Sequence, residues 1–169
     1  MSIVKAIRRA FERGRERHWD RLYWYFDLHE VVLKPNYDER FCHELYPDAE
    51  RVLKDITNRP DIVPCLYTCS HPDQIQFYID FFAKKGIRFV YVNENPEVAW
   101  SHSSLGNYSS KPYMNVLFED KAGFDFETDW TLVEECMKDF PVGYLPPTSD
   151  KKHTCNRGPP TFDPQENVN

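Results

Sequence analysis

Two kinds of segment alternate along the chain, and that alternation constrains its fold more than any single residue does. Short continuous apolar runs at residues 22–26, 62–67, 89–92 and 115–118 read as strands covered on both faces. Between and after them lie stretches whose apolar residues recur every three or four positions. Ala49, Val52, Leu53 and Ile56 make one such stripe, opened by Pro47-Asp48 and stopped by Asn58, Arg59 and Pro60. Ile75, Tyr78, Ile79 and Phe82 make another, opened at Ser70 or His71 before Pro72 and closed by Gly86. A last helix is expected over 129–138 and a short strand over 142–145. Buried strands alternating with helices need crossover connections, so the spacing predicts an α/β, three-layer Rossmann-like fold around a mostly parallel central sheet.

The 169 residues suffice for one such domain, expected over 21–146. Residues 1–20 form a basic leader, with Lys5, Arg8, Arg9, Arg13, Arg15 and Arg17 around the apolar positions Ile3, Val4, Ile7 and Phe11 of one helix face. The ordinary role of such a helix is to pack on the domain with its charges in solvent; tracking phosphates or binding a partner is the other. Gly14 weakens the helix beyond that point. Residues 147–169 are rich in proline and polar groups and read as an extended or disordered tail. A net charge of −6 argues against a general nucleic-acid coat. Five cysteines, an odd number without a C-x-x-C pair or a signal-peptide pattern, read as reduced thiols in a cytoplasmic protein, and no apolar run is long enough to span a membrane.

In an open parallel sheet the functional groups gather at the carboxyl ends of the strands. Asp27 follows the first strand, Thr68 the second, and Glu119-Asp120 the fourth. A carboxylate can attack phosphorus, but its charge repels the incoming phosphoryl group, so a cation has to accompany it. Mg²⁺ suits an oxygen donor set of this kind. Thr68, the backbone amide after it, and an ammonium group can hold the remaining phosphoryl oxygens. Cys69, His71 and His102 lack the paired spacing of a zinc site.

The blocks FDLHEVV at 26–32, LYT at 66–68, Lys111-Pro112 and LFEDKAGFD at 117–125 resemble, in order, the four motifs of the haloacid dehalogenase-like superfamily, over residues 22–145. The combination of LYTCS, KKGIRFVYVNENPE, KPY and an acidic pair followed by Lys121 is similar to a subgroup of small phosphatase-like members. The resemblance implies a Mg²⁺-dependent phosphomonoester phosphatase working through an aspartyl-phosphate. In it Asp27 would be nucleophile and metal ligand, and the backbone carbonyl of His29 a further ligand. Thr68 would hold the phosphoryl group and Lys111 would neutralise it. Asp120, with Glu119 or Asp125, would anchor the metal. The chain departs from the usual pattern twice: Glu119 is one methylene longer than the common Asp, and His29 stands where the proton-transferring Asp is usual. Imidazole titrates near neutrality and can carry either proton transfer, but related enzymes that replace this acid run other phosphoryl and phosphonate chemistry. Glu30, next to His29, is the other acid within reach of that role, pointing the opposite way if the segment stays extended.

The intervals from Asp27 to Thr68 and from Thr68 to Lys111 leave no room for a folded cap domain, so the site should be open. An open site suits a phosphorylated macromolecule, such as a phosphoprotein or a polynucleotide end, or a small substrate enclosed by an oligomeric neighbour. Tyr37, Tyr108 and Tyr113 offer base stacking in the nucleic-acid case and ordinary packing otherwise. The competing class is a catalytically altered or inactive relative that binds a protein or nucleic acid.

Overall fold

Every residue of the first strand, β1 (Leu22–Phe26), is buried, because its two faces are covered by different parts of the chain. The computed structural model describes residues 2–98, 106–108 and 110–147. The tail expected from 147 therefore lies outside the described residues beyond Pro147, as do 99–105 and 109 of the expected loop. The order of elements is α1 (Ile3–Glu16), β1, α2 (Pro47–Thr57), β2 (Ile62–Leu66), α3 (Pro72–Lys84), β3 (Tyr91–Val92), β4 (Val116–Phe118) and α4 (Asp129–Met137). The strands form one sheet in the order β3-β2-β1-β4, with every pairing parallel. The chain is an α/β protein with a Rossmann-like sheet, as the alternation predicts.

Period-two alternation divides β1 between two apolar layers. Leu22, Trp24 and Phe26 join the large core with all four helices. Tyr23 and Tyr25 join a second cluster with Val63 and Cys65, closed by Val98, Tyr113 and Met114 from the connection between β3 and β4. On that second face the covering layer, in its described parts, is this connection.

The connection is tied down by the NENPE block. Tyr25 donates its hydroxyl to the Glu94 carbonyl at 2.7 Å, and Asn95 donates to the Tyr113 carbonyl at 2.8 Å. The Glu97 carboxylate accepts from Arg21, Tyr23 and Tyr91 at 3.1, 2.9 and 2.9 Å. Tyr113 and Tyr108 pack edge-to-face with each other, and Tyr113 likewise with Tyr23 and Trp19. Tyr37, by contrast, is 86% exposed.

Two sequence expectations change. The third strand shortens to Tyr91–Val92 because the rung that would tie Phe89 into β2 needs an N–H from residue 64, and Pro64 has none. Phe89 instead packs against Phe26 and Phe82. Residues 142–145 form no strand. Gly143 takes a left-handed φ of 94°, Tyr144 N–H closes a turn on the Pro141 carbonyl, and Val142 is exposed.

Helix α1 continues through Gly14, whose missing side chain admits Leu145: a Cβ there would lie 2.9 Å from Leu145 Cδ2. Ile3, Ile7, Ala10 and Phe11 are built into the core. Several of its basic groups serve packing. Arg8 pairs with Asp139, Arg15 lies 5.2 Å over the Tyr144 ring, and Arg17 lies 5.5 Å over Trp19. Among the described residues no helix is long and apolar enough to cross a membrane.

Trp130 of α4 ties the core to the segment that follows β1. Its ring stacks on Phe26 and Phe118, and its indole N–H donates to the Val31 carbonyl at 2.9 Å. Trp130→Phe keeps an aromatic ring but leaves that buried carbonyl without its donor, and is expected to lower stability by about 2 kcal/mol, read from urea unfolding.

Candidate functional site

Parallel register brings the site together. Phe26 pairs with Phe118, and the ladder runs one step further, with Asp27 N–H donating to the Phe118 carbonyl at 2.9 Å. The residues just past these rungs are Asp27 and Glu119. The chain then turns into a short 3-10 segment, Asp120–Ala122, closed by Gly123 at a left-handed φ of 94°. That turn folds Asp120 back beside its neighbour. One carboxylate oxygen from each of Asp27, Glu119 and Asp120 lies within 4.8 Å of the others, and among the described residues this is the group of side chains able to hold a metal ion.

Two of these acids hold their protons more tightly than usual, chiefly because they are partly buried. Burial pushes the Asp27 carboxyl above its ordinary range; the Asp120 charge pushes the same way, against the Leu28 N–H that donates to Asp27 Oδ1 at 2.7 Å. Burial, a hydrogen bond with Asp120 and the Asp27 charge also raise Glu119. For Asp120 partial burial acts upward, but hydrogen bonds from Lys121 and Glu119 outweigh it and hold the group below its usual value. Lys121 Nζ sits 2.9 and 3.1 Å from the two Asp120 oxygens. A hard divalent cation fits this all-oxygen set.

Thr68 lies past the end of β2, buried to 7% exposure. Its hydroxyl is 2.9 Å from that of Ser70 and accepts the Ser70 N–H at 3.2 Å, which shapes the turn into α3. His71 N–H donates to Gln74 Oε1 at 2.9 Å and Pro72 opens the helix, so the positive end of α3 adjoins the Thr68 turn.

The His29 ring reaches towards α3. Its Nε2 lies 3.4 Å from the Tyr78 hydroxyl, which itself accepts the Cys42 N–H at 3.1 Å. The segment around it is coiled: Val32 and Leu33 N–H both donate to the Leu28 carbonyl, and Glu30 has a left-handed φ of 60°. The segment is therefore not extended at Glu30, the condition under which its side chain would point the opposite way. A short hairpin follows, with Lys34 N–H on the Glu44 carbonyl at 2.8 Å and Tyr46 N–H on that of Val32 at 3.1 Å. It is pinned to α3 by Arg40–Asp73, by Phe41 against Phe77 and by Gln74 on the Arg40 carbonyl. This hairpin, rather than a folded cap, fills the described interval between β1 and α2.

The two lysines and Asp125 lie in different surroundings. Lys111 is exposed and pairs with no carboxylate among the described residues, whereas Lys121, expected only as part of a motif, pairs with Asp120. Asp125 is committed to α4: it accepts from Glu127 N–H at 2.9 Å and from the Thr128 hydroxyl at 3.2 Å. It is outside the acidic cluster because this capping turn claims both oxygens. Sequence reasoning missed Asn93, whose side chain holds both backbone groups of Thr68. Its signal is an asparagine directly after a strand, where Asn accepts a left-handed φ, here 56°.

No protein-family model matches the chain, and no curated protein matches it in sequence. Among solved structures, a conserved protein from Bacteroides thetaiotaomicron superposes with a TM-score of 0.54 at 17% identity, covering 74% of this chain and 96% of that one. The likeness is one of fold.

A carboxyl group whose proton is held more tightly in the folded than in the unfolded chain favours folding most below its unfolded value, and that contribution is lost as pH rises through the folded one. Asp27 and Glu119 therefore weaken the metal-free protein at neutral pH, while Asp120 acts in the opposite sense. Thermal melts in EDTA should show Asp27→Asn more stable than wild type at about pH 7, with the gap closing towards about pH 4.

Proposed function

We propose that this chain is a Mg²⁺-dependent phosphohydrolase of the haloacid dehalogenase-like superfamily, acting on a phosphomonoester with Asp27 as nucleophile. The observation that carries this reading is the convergence of Asp27, Glu119 and Asp120 on one rim of a parallel sheet, at the strand ends where the motif resemblance expects them. The donor set fits a hard cation, since all three groups are oxygen ligands and two are displaced towards protonation without one. Asp27, Glu119 and Asp120 would hold Mg²⁺, with the His29 backbone carbonyl as a further oxygen donor. When bound, the ion offsets the negative charge that otherwise keeps a phosphoryl group away from a carboxylate.

The residues of the chain then have separable tasks. Asp27 is fixed by its own backbone bond to β4 and by the Leu28 N–H on Oδ1, so its second oxygen is the one available to attack phosphorus. Bond formation there breaks the P–O bond to the leaving alkoxide, which takes a proton from His29. Water activated by the same imidazole then hydrolyses the aspartyl-phosphate and releases inorganic phosphate. Thr68 and the adjoining amide hold the phosphoryl oxygens, and Lys111 supplies the ammonium from its exposed segment.

The pinned hairpin and the absence of a cap in the described interval after β1 favour a phosphate carried on a large substrate, a phosphoprotein or a polynucleotide end. The four cysteines among the described residues are unpaired, three of them buried, which agrees with a reducing, cytoplasmic setting. A second reading, an altered or silent relative that binds a protein or nucleic acid, draws on the engagement of His29 with Tyr78.

Hydrolysis of an aryl phosphate separates the two. With Mg²⁺ the wild type should turn over, EDTA should abolish the activity, and Asp27→Asn should lower kcat by at least about a thousandfold. Wild-type turnover no faster than that of Asp27→Asn across a broad phosphate panel leaves only the binding reading.

A further inference from the structure

The sheet order places β2 between β3 on one side and β1, which carries Asp27, on the other. The last backbone rung between β2 and β3 is the Asn93 N–H on the Leu66 carbonyl, at 2.9 Å. In a parallel ladder the next rung needs a carbonyl to receive Thr68 N–H and an N–H to reach the Thr68 carbonyl. The chain cannot supply them, because Asn93 turns away with a φ of 56°. Its side chain supplies both. Asn93 Oδ1 accepts Thr68 N–H at 2.8 Å, and Asn93 Nδ2 donates to the Thr68 carbonyl at 2.7 Å. The primary amide stands in for the missing peptide and prolongs the ladder by one rung.

This rung fixes a direction as well as a distance. In a trans peptide the carbonyl of one residue and the N–H of the next point opposite ways, and no bond among the described residues is cis. With the Thr68 carbonyl held towards β3, the Cys69 N–H is aimed towards β1 and the rim beyond Asp27. Ser70 N–H is already taken by the Thr68 hydroxyl, whereas the Cys69 N–H has no partner among the described residues, on a residue that is exposed. We infer that Asn93 is a positioning residue that holds the Thr68–Cys69 peptide so that the Cys69 N–H binds a phosphoryl oxygen. This inference rests on the phosphohydrolase reading and adds to it a residue that touches neither substrate nor metal.

Amide spectra of the full chain test it, with Mg²⁺ and beryllium trifluoride as the probe. In free wild type the Cys69 amide should exchange quickly with solvent while that of Thr68 is protected; on adding the probe, Cys69 should shift and become protected. Asn93→Gly tolerates the left-handed backbone and removes only the side-chain rung. It should weaken beryllium trifluoride binding at least about tenfold and lower kcat on an aryl phosphate by a similar factor, with Mg²⁺ affinity unchanged. The unchanged Mg²⁺ affinity also shows that the variant is folded. If wild type binds no beryllium trifluoride, the phosphohydrolase reading falls and this inference with it. If wild type binds it and Asn93→Gly binds as tightly with the same Cys69 shift, the role of Asn93 alone is overturned. A Cys69 amide already protected in free wild type overturns it without any variant.

Discussion

Bringing three carboxylates to one rim, two of them partly removed from water, is the constraint around which the site is built. Asp27, Glu119 and Asp120 converge within 4.8 Å because Phe26 and Phe118 are paired in parallel register, and a slip of one residue would turn Asp27 to the other face of the sheet. Register therefore has to be held against an electrostatic cost. The hydrophobic layer does this. Phe26, Phe118 and Trp130 stack with interplanar angles of 9–20°, and Phe124 and Trp24 close on the same group edge-on or tilted. Large rings at paired positions on both strands penalise any slip, since a one-residue shift would drive them into the opposite layer.

The second face of the sheet is held by different means. Where the helical face relies on apolar burial, the tyrosines of β1 reach hydrogen-bond acceptors in the connection between β3 and β4. Tyr23 and Tyr25 are both shifted towards higher proton affinity, chiefly by burial, so they stay neutral donors. Glu97, with three donors on its two oxygens, anchors this layer and leaves little buried charge uncompensated. A loop serves as a layer here because its polar backbone and side chains find partners on the sheet.

Much of this was legible in the sequence. The alternation of apolar runs with helical stripes predicts the parallel sheet, and an acid directly after a buried run predicts the rim position of Asp27 and Glu119, because a strand end fixes where its next side chain starts. What escaped the sequence depends on partners far away along the chain. Pro64 shortens a strand that begins two dozen residues later, and Gly143 breaks an apolar run too short to resist its left-handed preference. Asn93 reads as one more polar residue in a loop until β2 is set beside it. Asn115 plays a related part at the opposite end of the sheet, taking Tyr23 N–H on its side-chain oxygen at 2.7 Å while its own N–H bonds the Tyr23 carbonyl. An asparagine beside a ladder can imitate a peptide, but only pairing reveals which one it extends.

The same distinction separates the two charges of the site. Its anionic half is attached to strand ends and a one-turn 3-10 segment, with short side chains whose positions follow closely from the backbone. The proposed cationic half, Lys111 together with Lys121 beside Asp120, consists of exposed side chains on long flexible stems. Rigid carboxylates are costly to bring together and need a rigid frame; ammonium groups in solvent cost little to place and can follow a ligand. Sequence position therefore specifies the acids far better than the bases. For Thr68 and Cys69 the fixed element is the backbone itself, carried one rung past the end of the sheet by the Asn93 amide, so the neutral donors belong with the rigid half of the site.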